Sequence, residues 1–443
     1  MFGRINFAVM GAGNIAATMA DTVRKIRGVR CYAVASRSAD KAAGFAAKHG
    51  FKKAYGSYEE LVNDKKVSLV YVATPHSEHY ANAKLCIEHG KSVIVEKPFC
   101  VNAVQARELF ALAEEKHVFI TEAMWTRYMP FAKTIREVID SRVAGDPVML
   151  SAELSYPIRG VQRLTDPLLA GGALLDLGVY PLTFASMFFG DDIARVKADC
   201  TFTPQHVDEQ DSITLVYKDG RMAVLRASML GTGDRRGVIT FTKGYMVIEN
   251  INNFESLTVY GSDYKKIARY KRPRQKTGYE YEIMACARAI REGWTECPEL
   301  PHEETLRMME LLDEIRRQYR IVYPFEEGAR QVPLVTAQVP LVTAQAPDAE
   351  APDAEMPDIE VPDAAGQVTN EREETAAEPA LTAEPAGQEK TAEPAAERAQ
   401  EQIIESAAET SQVQTAEPAP EPEQKCAEES VPEQPAESAD SGN

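Results

Sequence analysis

The run Arg4-Ile5-Asn6-Phe7-Ala8-Val9-Met10-Gly11-Ala12-Gly13-Asn14-Ile15-Ala16 decides the fold of this 443-residue chain. Arg4 to Met10 is a short apolar stretch that ends directly at Gly11, and a helical pattern begins at Asn14 and continues through Ala20 and Val23. That order is strand, tight glycine turn, helix. Gly11 permits the turn, Gly13 lets backbone approach a pyrophosphate, and the small Ala16 lets the helix pack closely on the strand. The helix start at Asn14 and Ile15 then offers unpaired N–H groups and a positive dipole end to an anion. Glycine-rich turns that bind nothing share this spacing. The position between a strand and a helix is what favours a nucleotide.

A second strand is expected at Arg30 to Ala35, within one βαβ unit of the first. At its end, where NAD-selective folds place an acid on the ribose 2′-hydroxyl, the chain has Ser36-Arg37-Ser38, with Lys41 one helical turn on. No carboxylate stands there to repel a 2′-phosphate, and a guanidinium, an ammonium and hydroxyls can bind it. NADP is the favoured cofactor, with NAD possible. Ser36 also fits a plainer task, capping a helix over Ala39 to His49.

Strands and helices keep alternating. Ser68 to Ala73 is an apolar strand ending at Thr74-Pro75-His76, a helix is expected from Ser77 to His89, and Ser92 to Val95 leads into Glu96-Lys97-Pro98. Asn102 to Lys116 reads as a helix and Val118 to Thr121 as another strand. Buried parallel strands joined by crossover helices predict a doubly wound Rossmann sheet over residues 1–122, with ligands at the carboxyl ends of its strands. Thr74, Pro75, His76 and Lys97 fall at those ends.

After Glu122 the pattern changes. A helix is expected over Phe131 to Asp140, a strand over Val148 to Ser155 and a continuous helix over Gly172 to Phe188. Strand-like segments follow around 196–203, 211–217, 221–229, 237–242, 245–249 and 256–261, then helices over Tyr279 to Glu292 and Glu303 to Arg320. Residues 123–330 therefore predict an α+β domain on an open, largely antiparallel sheet, with helices on one face and the other free for a partner subunit.

From Gln331 to Asn443 there is no Phe, Trp or Tyr, 14 of the chain's 26 prolines, and 26 acidic against 4 basic residues. The overall charge of −18 thus belongs to this segment, since residues 1–330 carry 41 acids and 45 bases. QVPLVTA recurs at 331 and 338, APDAE at 346 and 351, and TAEPA at 382, 391 and 415. Such a segment lacks the apolar surface to offset its ordering entropy, so 331–443 is expected to be a disordered, solvated appendage.

The near-neutral balance of residues 1–330 shows no basic stripe and excludes nucleic acid as an expected partner. No secretory leader is apparent and no apolar run approaches transmembrane length, so no membrane association is expected. Seven cysteines at 31, 86, 100, 200, 286, 297 and 426 include no CxxC pair, which suits reduced thiols in a cytoplasm and argues against structural zinc.

The chemistry-bearing stretch of the second half is Gly171-Gly172-Ala173-Leu174-Leu175-Asp176-Leu177-Gly178-Val179-Tyr180-Pro181. On a helix Asp176 and Tyr180 share a face. A carboxylate and a phenol so placed can orient a diol and exchange a proton with it, and Lys97 across the cleft would stabilise a phenolate. The spacing fits equally an ion-paired Asp176, a core Tyr180 and a solvated Lys97. Arg159 and Arg163 lie in the loop Tyr156 to Asp166, as substrate contacts or as surface charges.

Six pieces in register, GAGNIA at 11, ASRS at 35, VATPHSEH at 72, EKP at 96, TEAMWTRYMP at 121 and GGALLDLGVYP at 171, resemble the glucose–fructose oxidoreductase, inositol dehydrogenase and MocA family. Within it the chain is most similar to the branch of dimeric dihydrodiol dehydrogenases and NADP-dependent D-xylose 1-dehydrogenases. The resemblance implies hydride transfer between nicotinamide and a hydroxyl or carbonyl carbon of a sugar, polyol or vicinal diol. It makes Lys97 the catalytic lysine and Tyr180, in a slot many relatives fill with histidine, the general acid/base. Asp176 would bind and orient a substrate hydroxyl, with Arg163 as a further substrate contact. Pro75, His76, Glu96, Trp125 and Arg127 would line the nicotinamide and substrate pocket. His79 is a weaker carry-over, and with His76 it lacks a third ligand for a metal. A homodimer or homotetramer is implied. A redox-neutral NAD-dependent glycosidase and a non-catalytic NADP-binding regulator are the alternatives, and the acidic segment has no place in the family pattern.

Overall fold

Fully buried strands come first in the chain and set its frame. The computed structural model describes residues 4–329; the acidic segment expected to be disordered lies outside the described residues. The first half comprises β1 (Ile5–Met10), α1 (Asn14–Val23), β2 (Val29–Ala35), α2 (Ala39–His49), β3 (Lys53–Tyr55), α3 (Tyr58–Asn63), β4 (Leu69–Val72), α4 (His79–Glu88), β5 (Ser92–Glu96), α5 (Ala103–Lys116) and β6 (Ile120–Ala123). Its six strands pair in parallel in the order β3-β2-β1-β4-β5-β6. Phe7 to Met10, Leu69 to Val72 and Val93 to Val95 are wholly buried, as a sheet covered on both faces requires. The strand order reverses between β1 and β4, which opens a crevice at their carboxyl ends.

The sequence does not announce β3 and α3, because Lys53 to Asn63 is too short and too polar to show a period. Ser38, not Ser36, caps α2: its Oγ accepts from Lys41 N at 3.3 Å, whereas Ser36 Oγ accepts from Ser38 N. The hydroxyl nearest the first helical turn wins the cap.

The second half contains α6 (Phe131–Asp140), β7 (Pro147–Ser155), α7 (Gln162–Thr165), α8 (Val179–Phe189), β8 (Ile193–Phe202), β9 (Asp208–Tyr217), β10 (Met222–Ser228), β11 (Gly237–Phe241), β12 (Gly244–Glu249), β13 (Ser256–Gly261), β14 (Lys266–Lys271), α9 (Glu280–Glu292) and α10 (His302–Tyr319). Its eight strands run in the order β14-β13-β12-β11-β7-β10-β9-β8, antiparallel except for the parallel pair β7 and β10. Alternation sorts the two faces. Leu150, Ala152, Ile213, Leu215, Ala223, Leu225, Ile239 and Met246 face α8 and α10 in a buried layer. Met149, Val224, Val238, Val247 and the stacked pair Tyr245 and Tyr260 lie on the other face.

One expectation is refined and one corrected in the stretch 167–189. The helix expected over Gly172 to Phe188 is continuous from Ala173 to Phe189, but its stretch Leu174–Gly178 is π-wound where it runs into α8, and a separate 3₁₀ turn at Pro167–Leu169 precedes it. Gly171 and Gly172 break the run, since a Cβ at Gly171 would lie 2.6 Å from Leu164 O and Gly172 holds φ +127. By composition, Pro167–Phe189 is also long and apolar enough to cross a membrane, with 23 residues and mean hydropathy 1.5, but 89% of that window is buried in the core. A helix that is apolar all round is buried somewhere, and here the large sheet buries it.

The two halves are stitched at the end of β6. Glu122, buried, accepts from Phe99 N at 3.0 Å and from Thr305 Oγ1 of α10 at 3.2 Å. Burial pushes its carboxyl up to about 7, against the pull of these donors. Between the ordinary carboxylate range and that value the folded chain binds more protons than the unfolded one, so this group's contribution to stability is present at low pH and is lost as pH rises through about 7. Glu122→Gln is expected to remove that loss. Thermal unfolding on either side of neutrality checks it: the Tm of the variant relative to the parent rises with pH, and a pH-independent difference contradicts the assignment.

Candidate active site

The glycine turn after β1 is tight for a stated reason. Gly11 has φ +99, and a Cβ there would meet Ala73 O, at the end of β4, at 2.5 Å. Gly13 is different: no heavy atom lies within 4 Å of its Cβ position, so the protein itself leaves that space open. Gly13 is also the cap of α1, with no side-chain hydrogen bond and no acid in the first turn, so the N–H groups of Asn14 and Ile15 face the crevice without competition. This arrangement fits a dinucleotide pyrophosphate. Arg37 and Lys41 are exposed, and neither makes an ion pair among the described residues. They stand at the end of β2 where a 2′-phosphate would lie.

Beyond the turn, a polar cluster gathers on Asp176. Lys97 Nζ, delivered by the end of β5, donates to the Asp176 carbonyl oxygen at 2.6 Å and lies 3.3 Å from Oδ1. Arg163 Nη1 donates to the same Oδ1 at 3.0 Å, and His76 Nε2 stands 3.6 Å away. Burial pushes the Asp176 carboxyl up, but Lys97, the His76 contact and Arg163 together outweigh it and hold the group well below the usual carboxylate range. Asp176 Oδ2 has no protein partner among the described residues and remains available to a ligand hydroxyl. His76 Nδ1 donates to Ala170 O at 3.0 Å, and burial, working against Asp176, lowers its basicity.

Tyr180 forms the opposite wall. Its Oη accepts from Trp125 Nε1 at 3.2 Å, and Lys97 Nζ lies over the ring, 5.0 Å from its centroid. The expectation that Lys97 would favour phenolate is corrected by this geometry. The ammonium is held by Asp176 over the ring face rather than at Oη, and burial, with Tyr279 and Glu96 nearby, raises the phenol well above its ordinary value. Tyr180 is therefore a neutral phenol, a proton donor.

The other residues singled out from sequence divide clearly. Pro75 caps the 3₁₀ turn that presents His76, and Thr74 Oγ1 accepts from Asn82 Nδ2 at 3.1 Å. Glu96 lies behind the cleft, accepting from Tyr71 Oη and from Lys97 N at 3.1 Å, and so orients the strand end. His79 is buried between Pro98 O at 2.8 Å and Thr74 O at 3.0 Å, and the single N–H of its neutral ring donates to one of these two carbonyls. Burial brings its pKa down to about 3. Arg127 is not brought to the cleft: its guanidinium pairs with Glu304 and donates to Ser186 Oγ at 2.8 Å. Arg159 likewise pairs with Glu209. No group of three or more His, Cys, Asp or Glu side chains able to hold a metal occurs among the described residues.

One wall escapes the sequence reading. Tyr279 stacks on Trp125 with centroids 4.1 Å apart and planes 7° apart, and Gly278, at φ +98, keeps that space clear. An aromatic pair between residues 154 positions apart leaves no local signal; only the Gly278-Tyr279 turn before α9 hints at it.

Comparison with known proteins agrees with this geometry. Residues 5–124 match the oxidoreductase family with an NAD-binding Rossmann fold, GFO_IDH_MocA, and residues 132–247 match the GFO/IDH/MocA C-terminal domain. The chain belongs to the Gfo/Idh/MocA oxidoreductase family. It is 34% identical over 298 residues to trans-1,2-dihydrobenzene-1,2-diol dehydrogenase of Xenopus tropicalis, covering 66% of this chain and 90% of that one. The Homo sapiens enzyme of the same name is 32% identical over 300 residues, covering 66% and 89%. Among solved structures, a 3-ketoreductase from Actinomadura kijaniata in complex with NADP and TDP-benzene superposes with a TM-score of 0.66 at 24% identity, over 71% of this chain and 98% of that one. An aldose-aldose oxidoreductase from Caulobacter crescentus complexed with glycerol gives a TM-score of 0.65 at 18% identity, over 72% and 98%. This Gfo/Idh/MocA protein is an NAD(P)-dependent oxidoreductase.

Proposed function

We propose that the protein interconverts a secondary alcohol and a ketone, or a hemiacetal and a lactone, in a sugar, polyol or vicinal diol, with NADP(H) as the preferred cofactor. The convergence of Lys97, Asp176 and Tyr180 beside the glycine turn carries the proposal. The names of the relatives, diol dehydrogenases and sugar oxidoreductases, support it. A bound nicotinamide would supply or accept the hydride. The chain's own groups do the rest. In the reductive direction the Tyr180 phenol donates its proton to the substrate oxygen, and the Lys97 ammonium steadies the negative charge that develops there. Asp176 holds Lys97 in place and presents Oδ2 to a neighbouring hydroxyl, which fixes the reacting carbon. The Trp125 and Tyr279 stack closes the wall against water. The test is turnover of NADPH or NADP on a panel of aldoses, inositols, diols and the matching ketones; activity on none of them rejects this reading.

The cofactor preference has its own test. Arg37→Ala is expected to weaken NADPH binding by roughly 10–100-fold, the loss of a charge-assisted contact to a phosphate, while leaving NADH binding within about twofold. Fluorescence titration of both nucleotides decides it, and equal losses would remove the 2′-phosphate assignment. Homodimeric or homotetrameric assembly through the outer face of the large sheet is supported by Met149, Val224, Val238 and the Tyr245–Tyr260 pair on that face. A reducing, cytoplasmic setting is supported by six unpaired cysteines among the described residues.

A further inference from the structure

The turn that carries Asp176 is wound as a π-helix, and that winding lets one residue offer both its carbonyl oxygen and its carboxylate to Lys97. Such turns are rare and gather at functional sites. The first amides of any helix also lack an intrahelical acceptor and need an outside anchor. Here the anchor comes from the large sheet below. Leu174 N, the first amide of the turn, donates to Asp208 Oδ2 at the start of β9. Gly172 lies just ahead of the turn, and a Cβ there would run into the Asp208 carboxylate. At the other end of the turn, a Cβ on Gly178 would sit 3.1 Å from Leu174 Cδ1 and 3.6 Å from Asp211 Oδ2. Gly172 thus lets the turn sit on Asp208, and Asp211 lies beside Gly178 at ordinary contact distance.

Those acids are misplaced by the ordinary logic of a sheet. The inward row of β9 is Asp211, Ile213, Leu215 and Tyr217, facing the buried core. The pairing of β8 with β9 shifts by one residue between Thr201 and Phe202, which turns Asp208 to the same side. Asp208 is 1% and Asp211 5% exposed, neither forms a salt bridge among the described residues, and the two carboxyls lie against each other with Tyr319 beside Asp211. Burying two such groups costs several kcal/mol, and packing gains nothing from them over an aliphatic pair. Their one specific contact to the site is the Leu174 amide.

We propose that Asp208 is a positioning residue for the reaction: by accepting the Leu174 N–H it holds the π turn in register, and so sets Asp176 on Lys97 and Tyr180 beside it. The proposal rests on the roles given above to Lys97, Asp176 and Tyr180.

The experiment compares Asp208→Asn, which keeps an acceptor oxygen, with Asp208→Ala, which does not, on a substrate found by the panel. The asparagine variant is expected to keep kcat within about threefold, and the alanine variant to lose roughly 10–100-fold in kcat, the worth of one buried hydrogen bond, with the Kd for NADPH unchanged. Equal kcat in both variants, or a loss confined to KM, overturns the proposal. Amide hydrogen exchange on the unaltered protein gives a second reading that needs no variant to fold. Leu174 N–H is expected to exchange as slowly as the amides of α8, and exchange at the rate of an unprotected amide overturns the anchor. The exchange result also stands apart from the catalytic reading: normal turnover by Lys97→Met would reject that reading while leaving the anchor measurement intact.

Discussion

Tyr180→Phe is expected to lower kcat by roughly 10²–10⁴-fold while the Kd for NADPH stays within about twofold, since only the proton donor is removed. Among the described residues the buried phenol has no partner but Trp125 Nε1, and its pKa lies well above the ordinary tyrosine value, so in the parent no part of the pH profile below the ordinary tyrosine range belongs to it. Phenylalanine keeps the ring under Lys97 and the packing of α8. It leaves the Trp125 N–H unpaired, a cost of about 1–3 kcal/mol that a modest fall in Tm will register. Single-turnover kinetics with saturating NADPH separates chemistry from binding. Turnover within a few-fold of the parent would remove Tyr180 from the reaction.

Lys97→Met is expected to cost roughly 10²–10³-fold in kcat, the loss of one donor to a developing oxyanion. Its effect spreads further than that of Tyr180, because Lys97 is the group that bonds both the carbonyl and the carboxylate of Asp176. Without it Asp176 keeps Arg163 and His76, and its carboxyl rises toward the ordinary range as its principal cation is lost. A new acidic limb is therefore expected in the pH profile of the residual activity, with the activity falling as pH drops through the raised Asp176 value. NADPH binding measured by fluorescence is expected to be unchanged. Normal kcat, or residual activity with the parent's pH dependence, would contradict the role.

The parallel half of the fold is legible in the sequence because its signals are local. A buried run ending in Gly11-Ala12-Gly13, strands at regular intervals and functional residues at strand ends follow from patterning and from what glycine alone permits. Phe131–Asp140, with its strong amphipathic pattern, comes out with its boundaries. The helix over 173–189 comes out too, but its π winding does not, because apolarity all round gives no period and the Asp208 acceptor of Leu174 N lies thirty-four residues away. Arg127 illustrates the same limit. The family resemblance places it near the cleft, yet its guanidinium is drawn to Glu304 on α10, a partner that no local spacing reveals. Asp211, an acid in the inward row of an otherwise apolar strand, is a signal that alternation does carry.

The central claim is that Lys97, Asp176 and Tyr180 assist hydride exchange between NADPH and a carbonyl carbon. Its most direct measurement is the fate of deuterium from NADPH dideuterated at C4 of the nicotinamide, so that either face delivers label, followed by mass spectrometry and NMR of the products across a panel of keto sugars and diol-derived ketones. The predicted result is deuterium bonded to the new carbinol carbon, appearing roughly 10²-fold or more slowly in Tyr180→Phe and Lys97→Met at unchanged NADPH binding. Product formation with no deuterium at the new carbinol carbon, or no cofactor consumption on any compound of the panel, would contradict it.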